Sequence, residues 1–74
     1  MTLAELARGA AARVVALPDD ADTASQCQSM GLQIGASVEL VRRAPFGGPL
    51  HVRTGEVELA VGRELAARVV VEST

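Results

Sequence analysis

The sequence predicts a mainly β domain, a small barrel of about five strands with two short helices near the N-terminus. Three observations carry that prediction. Short apolar segments alternate with polar residues at the two-residue period of a strand, as in Leu50-His51-Val52-Arg53. Dense turn signals separate them, above all Pro45-Phe46-Gly47-Gly48-Pro49 and Thr54-Gly55-Glu56. The strands are also too short and too many for half of a sandwich, and closure into a barrel removes exposed edges.

In chain order, Thr2 can cap a helix in which Leu3, Leu6 and Ala7 share a face before Gly9 stops it. Val14 and Val15 mark a strand over Ala12–Leu17, which Pro18-Asp19-Asp20 breaks. A second helix is expected over Thr23–Met30, capped by Asp22 or Thr23, with Ala24, Cys27 and Met30 on one face. Gly31 sits where a left-handed residue would end it, and Gly35 fits the third position of a type II turn. Val38-Glu39-Leu40 opens a strand that runs through Val41-Arg42-Arg43 to Ala44. After Leu50–Arg53 and the Thr54-Gly55-Glu56 reversal, Val57, Leu59 and Val61 alternate with Glu58 and Ala60. Gly62–Ala67 is a short link with helical character, and Arg68–Glu72 is the last strand.

Composition narrows the function. The chain has 74 residues, enough for one domain over residues 1–74 with a single core. With 49% apolar residues and Phe46 the sole aromatic, that core must be aliphatic. Cys27 is the only cysteine, so no internal disulfide forms. Seven arginines, no lysine and nine acids give a net charge of −2. Without a basic cluster or rings for stacking, the chain lacks what nucleic-acid binding needs. No apolar run approaches the roughly 20 residues of a membrane span, so direct membrane insertion is not expected. The lone thiol, with no export signal at the N-terminus, points to the cytoplasm.

Catalysis finds no support. Asp19, Asp20 and Asp22 lack calcium-loop spacing and read as a solvated loop. There is no Walker-type phosphate loop and no nucleophile paired with a base. The soft or borderline metal ligands are Cys27, Met30 and His51. The first two lie on an apolar helix face and suit a core, while His51 should face solvent between Leu50 and Val52. No cofactor and no metal site are therefore expected.

The order of signals resembles the ferrous iron transport protein A (FeoA) family across essentially the whole chain. The residues that carry the resemblance are Thr2-Leu3-Ala4-Glu5-Leu6-Ala7-Arg8-Gly9, Met30-Gly31-Leu32-Gln33-Ile34-Gly35, Arg42-Arg43-Ala44-Pro45-Phe46-Gly47-Gly48-Pro49 and Ala66-Ala67-Arg68-Val69-Val70-Val71. Such a resemblance implies an SH3-like barrel and a non-enzymatic accessory role. The expected partner is the cytosolic GTPase part of the FeoB membrane transporter. Two other roles stand beside it. One is a soluble carrier or sensor that binds Fe(II) directly, which needs several converging ligands. The other is a stand-alone interaction domain like the C-terminal module of iron-dependent repressors.

The candidate partner-binding surface is Arg42, Arg43, Pro45, Phe46, Gly47, Gly48 and Pro49. Phe46 either folds back as a lid on the barrel's open end or stands exposed as an anchor for a partner. Arg42 and Arg43 beside it can pair with acidic groups on that partner. A weak homodimer is a further expectation, because Val69, Val70 and Val71 run in a row on the last strand. At least one of them must point outward there, beside an edge open to pairing.

Overall fold

Thr2 and Glu5 organise the first turn of the chain, which a computed structural model describes over residues 1–74. The Thr2 N–H donates to Glu5 Oε1 at 2.7 Å, and the Glu5 N–H to the Thr2 carbonyl at 3.0 Å. The result is a single 3-10 turn, Leu3–Glu5, at the short end of the helix expected before Gly9. The tighter winding has a packing reason. In a 3-10 turn residues three apart eclipse one another, so Leu3 and Leu6 point the same way, and both are buried.

Strand β1 is Ala11–Ala16, burying Ala12 and Val14 and exposing Arg13 and Val15. Helix α1 is Ala21–Ser29. Its cap is Asp20, two residues before the expected Asp22, with the Thr23 N–H donating to Asp20 Oδ2 at 3.1 Å. Asp20 wins the position because its carboxylate also receives the Thr23 hydroxyl and the Arg68 guanidinium. The helix ends as the sequence predicts. Gly31 takes φ +91°, and N–H groups of Gly31 and Leu32 donate to the carbonyls of Gln28 and Cys27 at 3.0 and 2.9 Å. That reversal folds Leu32 into the core beside Cys27. The following turn closes from the Ala36 N–H to the Gln33 carbonyl at 2.9 Å.

Strands β2 (Ser37–Arg43), β3 (Leu50–Thr54), β4 (Val57–Val61) and β5 (Val70–Ser73) complete one antiparallel sheet in the order β4-β3-β2-β1-β5. All five strands send side chains into one cluster of 14 buried apolar residues, with Leu3, Leu6, Cys27, Leu32, Ala66 and Val69 closing it. A single sheet encloses a core only by wrapping around it, and two register shifts supply the bends. One lies at Val15 in the β1–β5 pair and one at Val41 in the β2–β3 pair. Along β4 the inward-facing row opens toward the hairpin, so Val61 is buried, Leu59 half-buried and Val57 exposed.

A four-residue helix, α2 (Arg63–Ala66), links β4 to β5 and packs on the 3-10 turn. Its last turn, closed by the Arg68 N–H on the Leu65 carbonyl at 2.9 Å, delays β5 to Val70. Val69 and Val71 are buried, and Val70 is the outward valine, 36% exposed. The edge beside it is not bare, however. The Leu3 N–H donates to the Val69 carbonyl and the Val71 N–H to the Met1 carbonyl, each at 2.8 Å, and Thr2 bridges Val70. The first three residues thus occupy the edge on which a homodimer was expected, and that ground for self-association is gone. No helix is long and apolar enough to cross a membrane.

Candidate interaction site

The loop between β2 and β3 begins at a bulge. From Val38 and Leu40, simple alternation would turn Arg42 inward. The extra residue Val41 resets the register, so that Arg42 pairs with His51 and Arg43 with the buried Leu50. Directly opposed residues share a face of the sheet. Arg43 therefore turns to the inner face at the barrel rim, where its guanidinium donates to the carbonyls of Ala4 and Leu6, both at 2.6 Å. Arg42 lies on the outer face and is exposed, with no side-chain hydrogen bond or ion pair.

Beyond Arg43 the loop closes twice. The Ala44 N–H donates to the Pro49 carbonyl at 3.0 Å, and the Gly48 N–H to the Pro45 carbonyl at 3.2 Å. The inner closure frames a four-residue turn whose two central residues, Phe46 and Gly47, have φ of +59° and +73°. That is the pattern of a type I′ turn. Glycine enters this region freely, while an aromatic side chain does so at about 1–2 kcal/mol. Phe46 is the chain's one non-glycine residue with positive φ. Its side chain is fully exposed, at 102% of the reference surface, so it is no lid on the barrel. A side chain at Gly48 would meet Ala44 Cβ at 2.9 Å, so the loop can close this tightly only on glycine. Arg63 Nε donates to the Gly48 carbonyl at 3.0 Å and ties the loop to α2. Pro45, Phe46, Gly47 and Pro49 are all exposed, so the tip of the loop lies at the surface.

The other candidates serve the fold. Cys27 is wholly buried, and burial pushes its thiol above the ordinary range. Met30 and His51 are half-buried, and no three His, Cys, Asp or Glu side chains converge where a metal ion would sit. Hydrogen bonds from Thr23 and Arg68 hold the Asp20 carboxyl down at about 2, as befits a helix cap in an ion pair. Arg63, which braces the loop from 15 residues away, was missed in the sequence; a lone arginine after Gly62 carries no local signal of that contact.

The architecture is that of a small SH3-like barrel carrying one stiff projecting loop. The FeoA domain family model matches residues 1–73, and the chain belongs to the FeoA family of the ferrous iron transport system. Among solved structures, an iron uptake regulatory protein (FeoA) is 31% identical with a TM-score of 0.92, covering 100% of this chain and 97% of its own. The FeoA of Stenotrophomonas maltophilia complexed with zinc, described as a prokaryotic SH3 domain protein, is 33% identical with a TM-score of 0.79 over 97% of this chain and 89% of its own. A manganese-dependent transcriptional repressor shares the fold at 19% identity and a TM-score of 0.89, with 100% of this chain matching 41% of that one. No curated protein sequence matches the chain significantly.

Proposed function

We propose that the chain is a cytoplasmic accessory protein of ferrous iron transport that docks its Phe46 loop on the cytosolic part of a FeoB-like membrane transporter. The single observation that carries this reading is the state of Phe46. A chain with one aromatic ring leaves that ring entirely in water, on a backbone conformation unfavourable to it, in a loop closed by two hydrogen bonds. Neither the core nor the backbone gains from that placement. A partner does, because a ring carried on a closed loop binds without the loop first being ordered. The Stenotrophomonas maltophilia relative is described as possibly acting as a ferrous iron transport activating factor, which suits a protein that works through another.

The test is calorimetric titration of the chain into a purified cytosolic part of such a transporter. Phe46→Asp should weaken binding tenfold or more, about 1.4 kcal/mol, with the melting temperature unmoved or slightly raised. Equal affinity for variant and wild type would remove the loop from the interface.

A further inference from the structure

We infer that the Phe46 loop is shaped for an apolar pocket rimmed by carboxylates on a folded protein, with Arg42, Arg43 and Arg63 forming a basic collar around the ring. The inference rests on the docking reading and specifies the chemistry of the docking partner. Charge on this chain is segregated along the barrel. From Leu40 to Gly55 there is no Asp or Glu, although the whole chain has nine. The ion pairs lie elsewhere, joining Arg53 to Glu39 and Glu58, and Arg68 to Asp20. At the loop end, Arg43 and Arg63 bond backbone carbonyls and Arg42 bonds nothing. Carbonyl acceptors fix a guanidinium without cancelling its charge. None of these three arginines is in an ion pair, although Glu5 lies between the two carbonyls that hold Arg43 and Glu64 follows Arg63. The loop end thus carries three guanidinium groups in a protein whose net charge is −2.

A ring with a basic collar also fits an anionic membrane surface, and the stiffness of the loop decides between the two. Two closing hydrogen bonds, a brace from α2 and a left-handed turn fix the backbone that carries the ring. A shaped pocket rewards that preorganisation, whereas a fluid bilayer accepts a flexible ring equally well. One ring is also a small anchor for lipid.

Binding of wild type, Arg42→Glu, Arg42→Gln and Phe46→Leu to the cytosolic part of a FeoB-like transporter should be measured at about 50 and about 500 mM salt, across which charge screening becomes short-ranged. Cosedimentation with phosphatidylserine-containing vesicles is the second arm. Wild type should lose affinity with salt, Arg42→Glu should bind about tenfold more weakly at low salt with a flatter salt dependence, and Arg42→Gln should fall between. Phe46→Leu should weaken binding while keeping the wild-type salt dependence. The Arg42 side chain makes no hydrogen bond or ion pair, so its variants remain folded. If Phe46→Leu weakens binding but salt and Arg42→Glu do not alter it, docking stands and the collar is wrong. No binding by wild type at either salt overturns docking and the collar together. Phe46-dependent cosedimentation with vesicles, without affinity for the protein, makes the partner lipid and overturns the inference.

Discussion

Phe46 destabilises the fold where it stands, and that is measurable at a single residue. Its φ of +59° is strained for an aromatic side chain. Phe46→Gly relieves this strain but frees the unfolded chain, so the net gain should be about 0.5–1 kcal/mol in chemical denaturation, with binding weakened. A loss of stability would mean that the ring makes contacts worth more than the strain. The sequence placed Phe46 in a Pro- and Gly-rich loop yet left lid and anchor open, because exposure depends on which way a turn faces, and no residue pattern encodes that. Cys27 was legible, since its spacing with Ala24 and Met30 put it on the buried face. Cys27→Ala should lower stability by about 1 kcal/mol through lost packing and leave partner binding intact in the folded state. Binding lost with an unchanged melting curve would give Cys27 a functional role.

At the scale of elements, alternation located β1 to β4 within a residue or so, and Gly31 located the end of α1. What alternation could not reveal were the register shifts at Val15 and Val41, because a bulge depends on the partner strand. The one at Val41 decides that Arg43 braces the 3-10 turn while Arg42 is free, so two adjacent arginines that read alike do different work. The cap of α1 moved for a similar long-range reason, the contact of Asp20 with Arg68. That contact predicts a pH dependence. The Asp20 carboxyl is lowered from 3.8 to about 2 in the fold, so its stabilisation is fully present above about pH 4 and is lost as pH falls through 2. Asp20→Asn keeps a capping oxygen but not the charge. It should melt below wild type at neutral pH, and the difference should shrink between pH 4 and 2. A constant difference across that range would contradict the assignment.

For the whole molecule, the barrel separates duties by its ends. The loop end holds Arg42, Arg43 and the exposed ring, with Arg63 bound to it through the Gly48 carbonyl, while Asp20 at the α1 cap pairs with Arg68. Four motifs in order carried the resemblance to this family, and short strands with dense turn residues predicted the small barrel. The basic end was half legible. Arg42 and Arg43 adjoin the loop in sequence, but Arg63 joins them only through the fold. With no cluster of three metal-ligating side chains, Fe(II) titrated anaerobically should bind weakly; a stoichiometric site of micromolar affinity would point to a carrier. The docking account itself is tested most directly by amide resonances of the labelled chain as the cytosolic part of a FeoB-like transporter is added. The account predicts shifts and broadening concentrated at residues 42–50 and Arg63, with α1 undisturbed. Perturbations centred on α1 or on β5, with the loop silent, would contradict it.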